Sequence, residues 1–220
     1  LVWQSCDYYF EPTAAYFGCK KANEPLHIQW NPLTDEVEIV NYSAGQRKGL
    51  TAKAQVINMD GSVAWEKETA VDSEEDTTNK CIKLEFPANL TSAHYVKLIL
   101  TEAGKVVSDN FYLRGTEEGN YQALRELPKV QMQPAIETVK GTDGTWSATV
   151  ALENSSNTPA LMIRVNVLGA QDGEQILPMF YSDNYFSLLP GEKKTVNIHW
   201  KDVDTRGEQP KIVVSGYNVQ

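Results

Sequence analysis

Histidine, serine and glycine build the common catalytic and metal-binding motifs, and their spacing here matches none of those motifs. His27, His94 and His199 form neither an HxH nor an HExxH pattern, the spacings that bring two imidazoles to one zinc ion. No serine stands in a nucleophile elbow, and there is no glycine-rich loop that would cradle a phosphate. We therefore expect no catalytic residue, no metal site and no cofactor in this chain.

Cysteines and clustered acids are the next candidates for chemistry. Cys6, Cys19 and Cys81 are odd in number and widely spaced, so they predict neither a disulfide framework nor a zinc site. We interpret them as small apolar side chains. The acidic run at residues 72–76 is interpreted as a solvated loop.

One short stretch, residues 181–185, combines aromatic and polar side chains that have the chemistry of a sugar contact. Tyr181 and Tyr185 carry rings that could stack on pyranose CH groups, and Asp183 and Asn184 could accept hydrogen bonds from hydroxyls. The alternative is that these aromatics fill the core or a domain interface, where each contributes a large buried area.

Composition limits the classes of partner. The 220 residues carry a formal net charge of -9, which disfavours binding to phosphate backbones or anionic lipid. There is no apolar run of about 18 residues that would span a membrane. The first residues lack the basic region and cleavage pattern of a signal peptide, and the chain does not begin with Met, so we expect a fragment of a longer protein.

From residue 26 onwards the hydrophobic pattern has a period of two, which is typical of half-buried strands. Turn pairs such as Asp60-Gly61 separate the runs. We predict an all-β fold of two tandem immunoglobulin-like β-sandwiches at residues 25–114 and 128–220, with a linker at 115–127. The predicted strands are 26–30, 37–42, 50–58, 63–67, 81–86, 95–101, 106–113, 130–139, 146–153, 161–168, 175–177, 185–188, 195–200 and 212–217.

Three asparagines, Asn41, Asn89 and Asn154, begin triplets that fit the glycosylation sequon. Such triplets arise by chance and each asparagine also suits a turn, so we infer no secreted eukaryotic origin from them. Asn41 and Asn154 each precede a long strand and an Asp-Gly turn with nearly the same spacing. This echo favours two copies of one sandwich topology, although convergent turn chemistry explains it almost as well.

The opening segment differs from the rest because its pattern is helical. Pro12 suits a first helical turn, Lys20 and Lys21 suit a last one, and Pro25 forbids continuation. Such an aromatic-rich helix has no partner of its own kind in this chain. We expect residues 8–22 to pack against the first sandwich or against a neighbouring copy of the chain.

Two long motifs in this chain resemble glycoside hydrolase family 2, in particular its exo-β-D-glucosaminidases and β-mannosidases. The first is DYYFEPTAAYFG at residues 7–18 with KKA at 20–22 and EPLH at 24–27, similar to the junction between catalytic barrel and sandwich. The second is FYSDNYFSLLPGE at residues 180–192, similar to a stretch of the terminal sandwich. Together these motifs make the resemblance cover essentially the whole chain.

The resemblance implies that residues 1–24 are the end of a (β/α)8 barrel, with a remnant helix, and that this missing barrel is the partner of the two sandwiches. The family's two catalytic glutamates would lie upstream, and retaining hydrolysis needs two carboxyls about 5–5.5 Å apart, a pair that we cannot identify here. The resemblance leaves open whether the whole enzyme removes glucosamine or mannose from oligosaccharides. It favours a periplasmic or secreted location.

The leading hypothesis is therefore non-catalytic accessory domains of a family 2 exo-glycosidase. A carbohydrate-binding module that uses aromatics of the second sandwich is the alternative, and an adhesin-type tandem without an enzyme is a third, which the junction motif disfavours. An exposed, coplanar pair of aromatic rings on one sheet would favour the carbohydrate-binding module.

The first prediction is that this chain alone has no glycosidase activity, because it contains neither barrel carboxylate. Release of nitrophenol from aryl β-glucosaminide and β-mannoside measures this directly. Turnover that survives repurification and follows the protein peak would contradict the prediction.

Overall fold

The computed structural model describes residues 5–220, which are mostly β-strand with one α-helix, α1, at Ala14–Ala22. Residues 1–4, part of the predicted barrel remnant, lie outside the described residues. Two compact units are present. Lys20–Leu127 form the first unit, and Pro128–Gln220 together with the described residues up to Cys19 form the terminal unit.

The first unit contains a three-stranded and a four-stranded antiparallel sheet. Its strands follow the chain in the order β1 Leu26–Asn31, β2 Glu36–Asn41, β3 Arg47–Asn58, β4 Val63–Ser73, β5 Thr77–Lys83, β6 Ala93–Glu102 and β7 Lys105–Gly115. The sheet orders are β1-β2-β5 and β4-β3-β6-β7, so seven strands form two layers, as in an immunoglobulin-like sandwich.

Alternation along the central strands places the core of the first unit between its sheets. Every second residue of β3 from Leu50 to Val56 is fully buried, because successive side chains of a strand point to opposite faces. On the neighbouring strand β6, the alternate residues Val96, Leu98 and Leu100 are also fully buried. A short 3₁₀ helix, Gln122–Glu126, follows β7 within the predicted linker.

The terminal unit repeats the two-layer arrangement. Its strands are β8 Ala135–Lys140, β9 Thr145–Glu153, β10 Ala160–Gly169, β11 Phe180–Tyr181, β12 Phe186–Leu188, β13 Lys193–Lys201 and β14 Pro210–Ser215. The sheet orders are β11-β13-β9-β8 and β12-β10-β14. The core between them includes Val150, Ile163, Val165, Ile198 and Trp200, each at most 1% exposed.

The predicted all-β fold of two sandwiches is confirmed, with local differences in the strands. Residues 175–177 do not form a strand, since Gln175 makes a single bridge to Leu168 and the next strand is Phe180–Tyr181. The predicted strand at 130–139 begins only at Ala135, because Pro134 has no N–H to donate to a ladder. The helix begins at Ala14, two residues after Pro12. The assignment of residues 1–24 to a barrel and the predicted domain boundaries stay predictions.

The acidic run at residues 72–76 closes strand β4 and forms the turn into β5. Its four carboxylate-bearing residues are exposed, whereas Ser73 within it is buried. This location agrees with a solvated connection.

Two buried asparagines occupy the same place in the two sandwiches. Asn41 ends β2, an inner strand of its sheet, and Asn154 follows β9, an inner strand of its sheet. Each precedes an inner strand of the opposite sheet. Both are 0% exposed. Asn41 Nδ2 donates to Gly45 O at 2.8 Å, and Asn154 Nδ2 donates to the carbonyls of Thr158 and Leu188 at 2.8 and 2.9 Å. Both asparagines lie at the connection between the second and third strands of their sandwich, which favours two copies of one topology, although β2 belongs to a three-stranded sheet and β9 to a four-stranded one.

We predict that Asn154→Ala lowers the free energy of unfolding of the terminal unit by about 2–4 kcal/mol, because two buried carbonyls and the Ser156 N–H lose their partner. Denaturant unfolding measures the change. Asn89→Ala is the matched control, since Asn89 begins a similar triplet but is exposed. Equal midpoints for the two variants would contradict the assigned role.

Candidate functional site

Among residues 5–220 there is no helix long and apolar enough to cross a membrane, and no group of acidic, cysteine or histidine side chains arranged to hold a metal ion.

His27 in the first unit is buried and contacts neighbouring polar side chains. His27 is 5% exposed, with Nδ1 3.3 Å from Glu24 Oε2 and Nε2 3.1 Å from the amide nitrogen of Asn110. Ser108 Oγ donates to the same Glu24 oxygen at 2.7 Å. Burial by itself would raise the pKa of Glu24, but the hydrogen bonds from His27 and Ser108 hold it below the ordinary value. Serine and histidine contact the carboxylate and not each other, so this is no nucleophilic triad.

Phe17 anchors the opening segment within the terminal unit. Its ring is 5% exposed and lies 6.4 Å from the Tyr181 ring and 6.0 Å from the Tyr185 ring, measured between centroids. These are separations at which aromatic pairs attract one another beyond their buried area. Burial raises the pKa of the Tyr181 hydroxyl well above its usual range.

An ion pair reinforces this aromatic contact. Arg164 on β10 pairs with Glu11, and its guanidinium carbon lies 5.8 Å from the centroid of the Tyr185 ring, within cation–π range. Burial raises the pKa of Tyr185, and the guanidinium opposes that shift. The five side chains form what we call the anchor cluster: Glu11, Phe17, Arg164, Tyr181 and Tyr185.

The anchor cluster corrects part of one expectation from the sequence. Residues 8–22 are expected against the first sandwich or a second copy, and Lys21 makes such a contact by pairing with Asp109 of β7. Glu11 and Phe17 instead contact the terminal sandwich. The contact was missed because Glu11 and Arg164 are 153 positions apart, and no local pattern indicates such a pairing.

The structure brings the four sequence-predicted sugar contacts close together and engages each with the protein. Asn184 is 4% exposed, and its amide exchanges two hydrogen bonds with the backbone of Val165, at 2.8 and 2.9 Å. Asp183 pairs with Lys194 at 2.5 Å, and Tyr181 and Tyr185 line the site of Phe17. Their contact with a sugar stays a prediction.

A carbohydrate-binding module would be favoured by an exposed, coplanar pair of aromatic rings on one sheet. In the described part of the chain, one recorded ring pair is stacked: Trp146 and Trp200, with 3° between their planes. Trp200 is 1% exposed, so this pair does not present two rings to solvent.

Two immunoglobulin-like units in tandem place this chain in the class of tandem β-sandwich proteins. The chain belongs to the family of Ig-fold domains of exo-β-D-glucosaminidases, whose sequence model, described as "Exo-beta-D-glucosaminidase Ig-fold domain", matches residues 110–219. Residues 36–114 match a second family, described as "Mannosidase Ig/CBM-like domain". The resemblance to this group of enzymes is thereby confirmed.

Several relatives are similar over the whole chain. The exo-β-D-glucosaminidase of Streptomyces avermitilis is 32% identical over 99% of the chain, which spans 27% of that relative. The exo-β-D-glucosaminidase of Amycolatopsis orientalis is 31% identical over 99% of the chain and 23% of its own length. The chain thus spans about a quarter of the length of these curated relatives, and it matches their C-terminal portion.

Solved structures agree with the sequence matches. The crystal structure of the Amycolatopsis orientalis exo-chitosanase has a TM-score of 0.91 and 29% identity, over 99% of this chain and 28% of that one. A β-D-mannosidase from Dictyoglomus thermophilum has a TM-score of 0.68 over 99% of this chain and 24% of that one, at 15% identity, and shows the shared fold alone. The chain therefore consists of accessory domains of the exo-β-D-glucosaminidase type.

We predict that Phe17→Ala lowers the free energy of unfolding of the terminal unit by about 3 kcal/mol, because it removes a buried ring from between two tyrosines. Denaturant unfolding followed by tyrosine and tryptophan fluorescence measures the change. Tyr8→Ala is the control, since Tyr8 is 87% exposed and its loss should cost at most about 0.5 kcal/mol. An unchanged midpoint for Phe17→Ala would contradict the anchor cluster.

Proposed function

We propose that the chain is the C-terminal accessory region of an exo-acting β-D-glucosaminidase and that it supports the catalytic barrel without catalysing the reaction. The match to exo-β-D-glucosaminidases over 99% of the chain supports this proposal. The single structural observation that carries the supporting role is the exposed aromatic surface just ahead of the anchor cluster.

That surface consists of Tyr8 and Phe10, which are 87% and 69% exposed. Backbone and side-chain hydrogen bonds hold the turn that bears them: Asp7 Oδ1 accepts from the N–H groups of Tyr9 and Glu11 at 2.8 and 2.9 Å. The turn is thus ordered without burying its own rings. Each large apolar ring left in water forgoes roughly 1.5–3 kcal/mol, so a partner surface that covers both rings would be stabilised by this burial.

The catalytic barrel of the whole enzyme is the partner that we propose for this surface. Glu11 and Phe17 attach the segment to the terminal sandwich, so a barrel that covers Tyr8 and Phe10 would be connected to that sandwich through a side-chain anchor as well as through the backbone. In this arrangement the barrel supplies the two carboxyls of a retaining glycosidase, and the sandwiches supply rigid support.

The proposed substrate of the whole enzyme is a terminal β-linked glucosamine residue. Five of the relatives with sequence matches are named exo-β-D-glucosaminidases, which supports glucosamine over mannose. Release of nitrophenol by the whole enzyme from aryl β-glucosaminide and from aryl β-mannoside tests this choice, and preference for the mannoside would overturn it.

For the supporting role, the double variant Tyr8→Ala/Phe10→Ala should lower the inactivation temperature of the whole enzyme by about 4 °C or more. It should leave the melting temperature of the isolated 220-residue chain unchanged, because both rings are exposed there. Leu33→Ala is the matched control, since Leu33 is 95% exposed on the first unit. Equal inactivation temperatures for the double variant and the unsubstituted enzyme would contradict the docking of the barrel on this surface.

A further inference from the structure

A cleft of about 590 Å³ opens on the terminal unit beside the turn that carries Tyr9. Small-molecule sites in proteins commonly measure about 300–1,000 Å³, so the cleft has the size of a ligand site. Its walls come from the opening turn, from the loop after β10 and from a second 3₁₀ helix, Asp202–Thr205, which follows β13. The lining residues are Tyr9, Glu174, Gln175, Leu177, Val203, Asp204 and Arg206.

Hydrogen bonds hold the walls of the cleft in place. Arg206 Nη2 donates to Gln175 O at 3.1 Å, and Ile176 N donates to Val167 O at 3.0 Å. Thr205, next to the lining residue Asp204, is buried, and its hydroxyl donates to Asp202 O at 2.8 Å. The two sandwich loops are therefore fixed relative to each other, which lowers the ordering cost of binding.

The chemistry of the lining is that of a site for an amino sugar. Tyr9 packs edge to face with Tyr8, yet it is 69% exposed, and Val203 is 76% exposed, so an exposed ring and an apolar contact are available for the CH face of a pyranose. Glu174 and Asp204 contribute two carboxylates, against one guanidinium, from Arg206, which bonds to a backbone carbonyl. An ammonium group suits this excess of negative charge, and it gains a further attraction from an aromatic face.

The net negative charge of the whole chain also favours the binding of a cationic ligand. A formal net charge of -9 attracts a polycation at a distance and favours its encounter with the chain. A glucosamine oligomer carries one ammonium per sugar in mildly acidic solution, whereas its N-acetylated counterpart has the same pyranose rings without the charge. The cleft can therefore distinguish the two by electrostatics.

We infer that this cleft binds a short β-linked glucosamine oligosaccharide without cleaving it, by stacking on Tyr9 and by pairing ammonium groups with Glu174 and Asp204. The choice of glucosamine rests on the proposed function, whereas the location rests on the geometry of the lining. The terminal sandwich thereby takes part in holding the polymer that the whole enzyme shortens.

Calorimetric titration of the 220-residue chain with a glucosamine tetramer in mildly acidic, low-salt buffer tests the inference. The deacetylated tetramer should bind at least about tenfold more tightly than the fully N-acetylated tetramer, and added salt should weaken its binding. Tyr9→Ala should weaken binding about tenfold, and Glu174→Gln/Asp204→Asn about fivefold or more. The controls are Tyr42→Ala and Glu118→Gln, two exposed residues of the first unit, which should leave binding unchanged.

The outcomes separate this inference from the proposed function. No binding of the glucosamine tetramer, equal binding of the N-acetylated tetramer, or binding that survives Tyr9→Ala would each overturn the inference. Thermal melts verify that every variant is folded, which the exposure of Tyr9 and Glu174 leads us to expect. None of these outcomes bears on whether the barrel docks on Tyr8 and Phe10, because that proposal is tested on the stability of the whole enzyme.

Discussion

Each sheet in this protein must cover one apolar face with the apolar face of a second sheet, and the remainder of the structure depends on that burial. In the first unit the core between the layers contains Leu50 and Ala54 of β3 from one sheet, and Ile28 and Ile39 from the other. Burying a polar side chain in such a layer costs free energy unless it is hydrogen-bonded. Asn41 and Asn154 are buried and hydrogen-bonded, and each lies where the chain passes from one sheet to the other.

The anchor cluster attaches the opening segment to the terminal sandwich, also by burying an apolar side chain, Phe17. The opening turn is held by hydrogen bonds to Asp7 but leaves its own rings exposed. Phe17 supplies apolar contact by packing against Tyr181 and Tyr185, and Arg164 adds an ion pair with Glu11 and a contact with the Tyr185 ring. Two tyrosines whose chemistry is suited to a sugar are here the walls of an aromatic site for the protein's own chain.

Neighbouring aromatic residues of the opening segment consequently have different surroundings. Phe17 is buried, Tyr8 and Phe10 face solvent, and Tyr9 borders the cleft of the terminal unit. Asp7 fixes the backbone of this turn, and the rings of Tyr8 and Tyr9 pack edge to face with 5.2 Å between their centroids.

The sequence by itself determined the all-β class, most strands and the two sandwiches, because alternation with a period of two is a local property that a strand such as Arg47–Asn58 displays directly. It also placed Tyr181, Asp183, Asn184 and Tyr185 within five consecutive positions, which the structure divides between the end of β11 and the loop that follows it. Tertiary structure alone decided that Asn184 bonds to Val165, that Phe17 packs on the terminal sandwich, and that Tyr9 borders a cleft. Those contacts join residues far apart in the chain. Their partners depend on how whole sheets pack, and local hydrophobic periodicity carries no information about that packing.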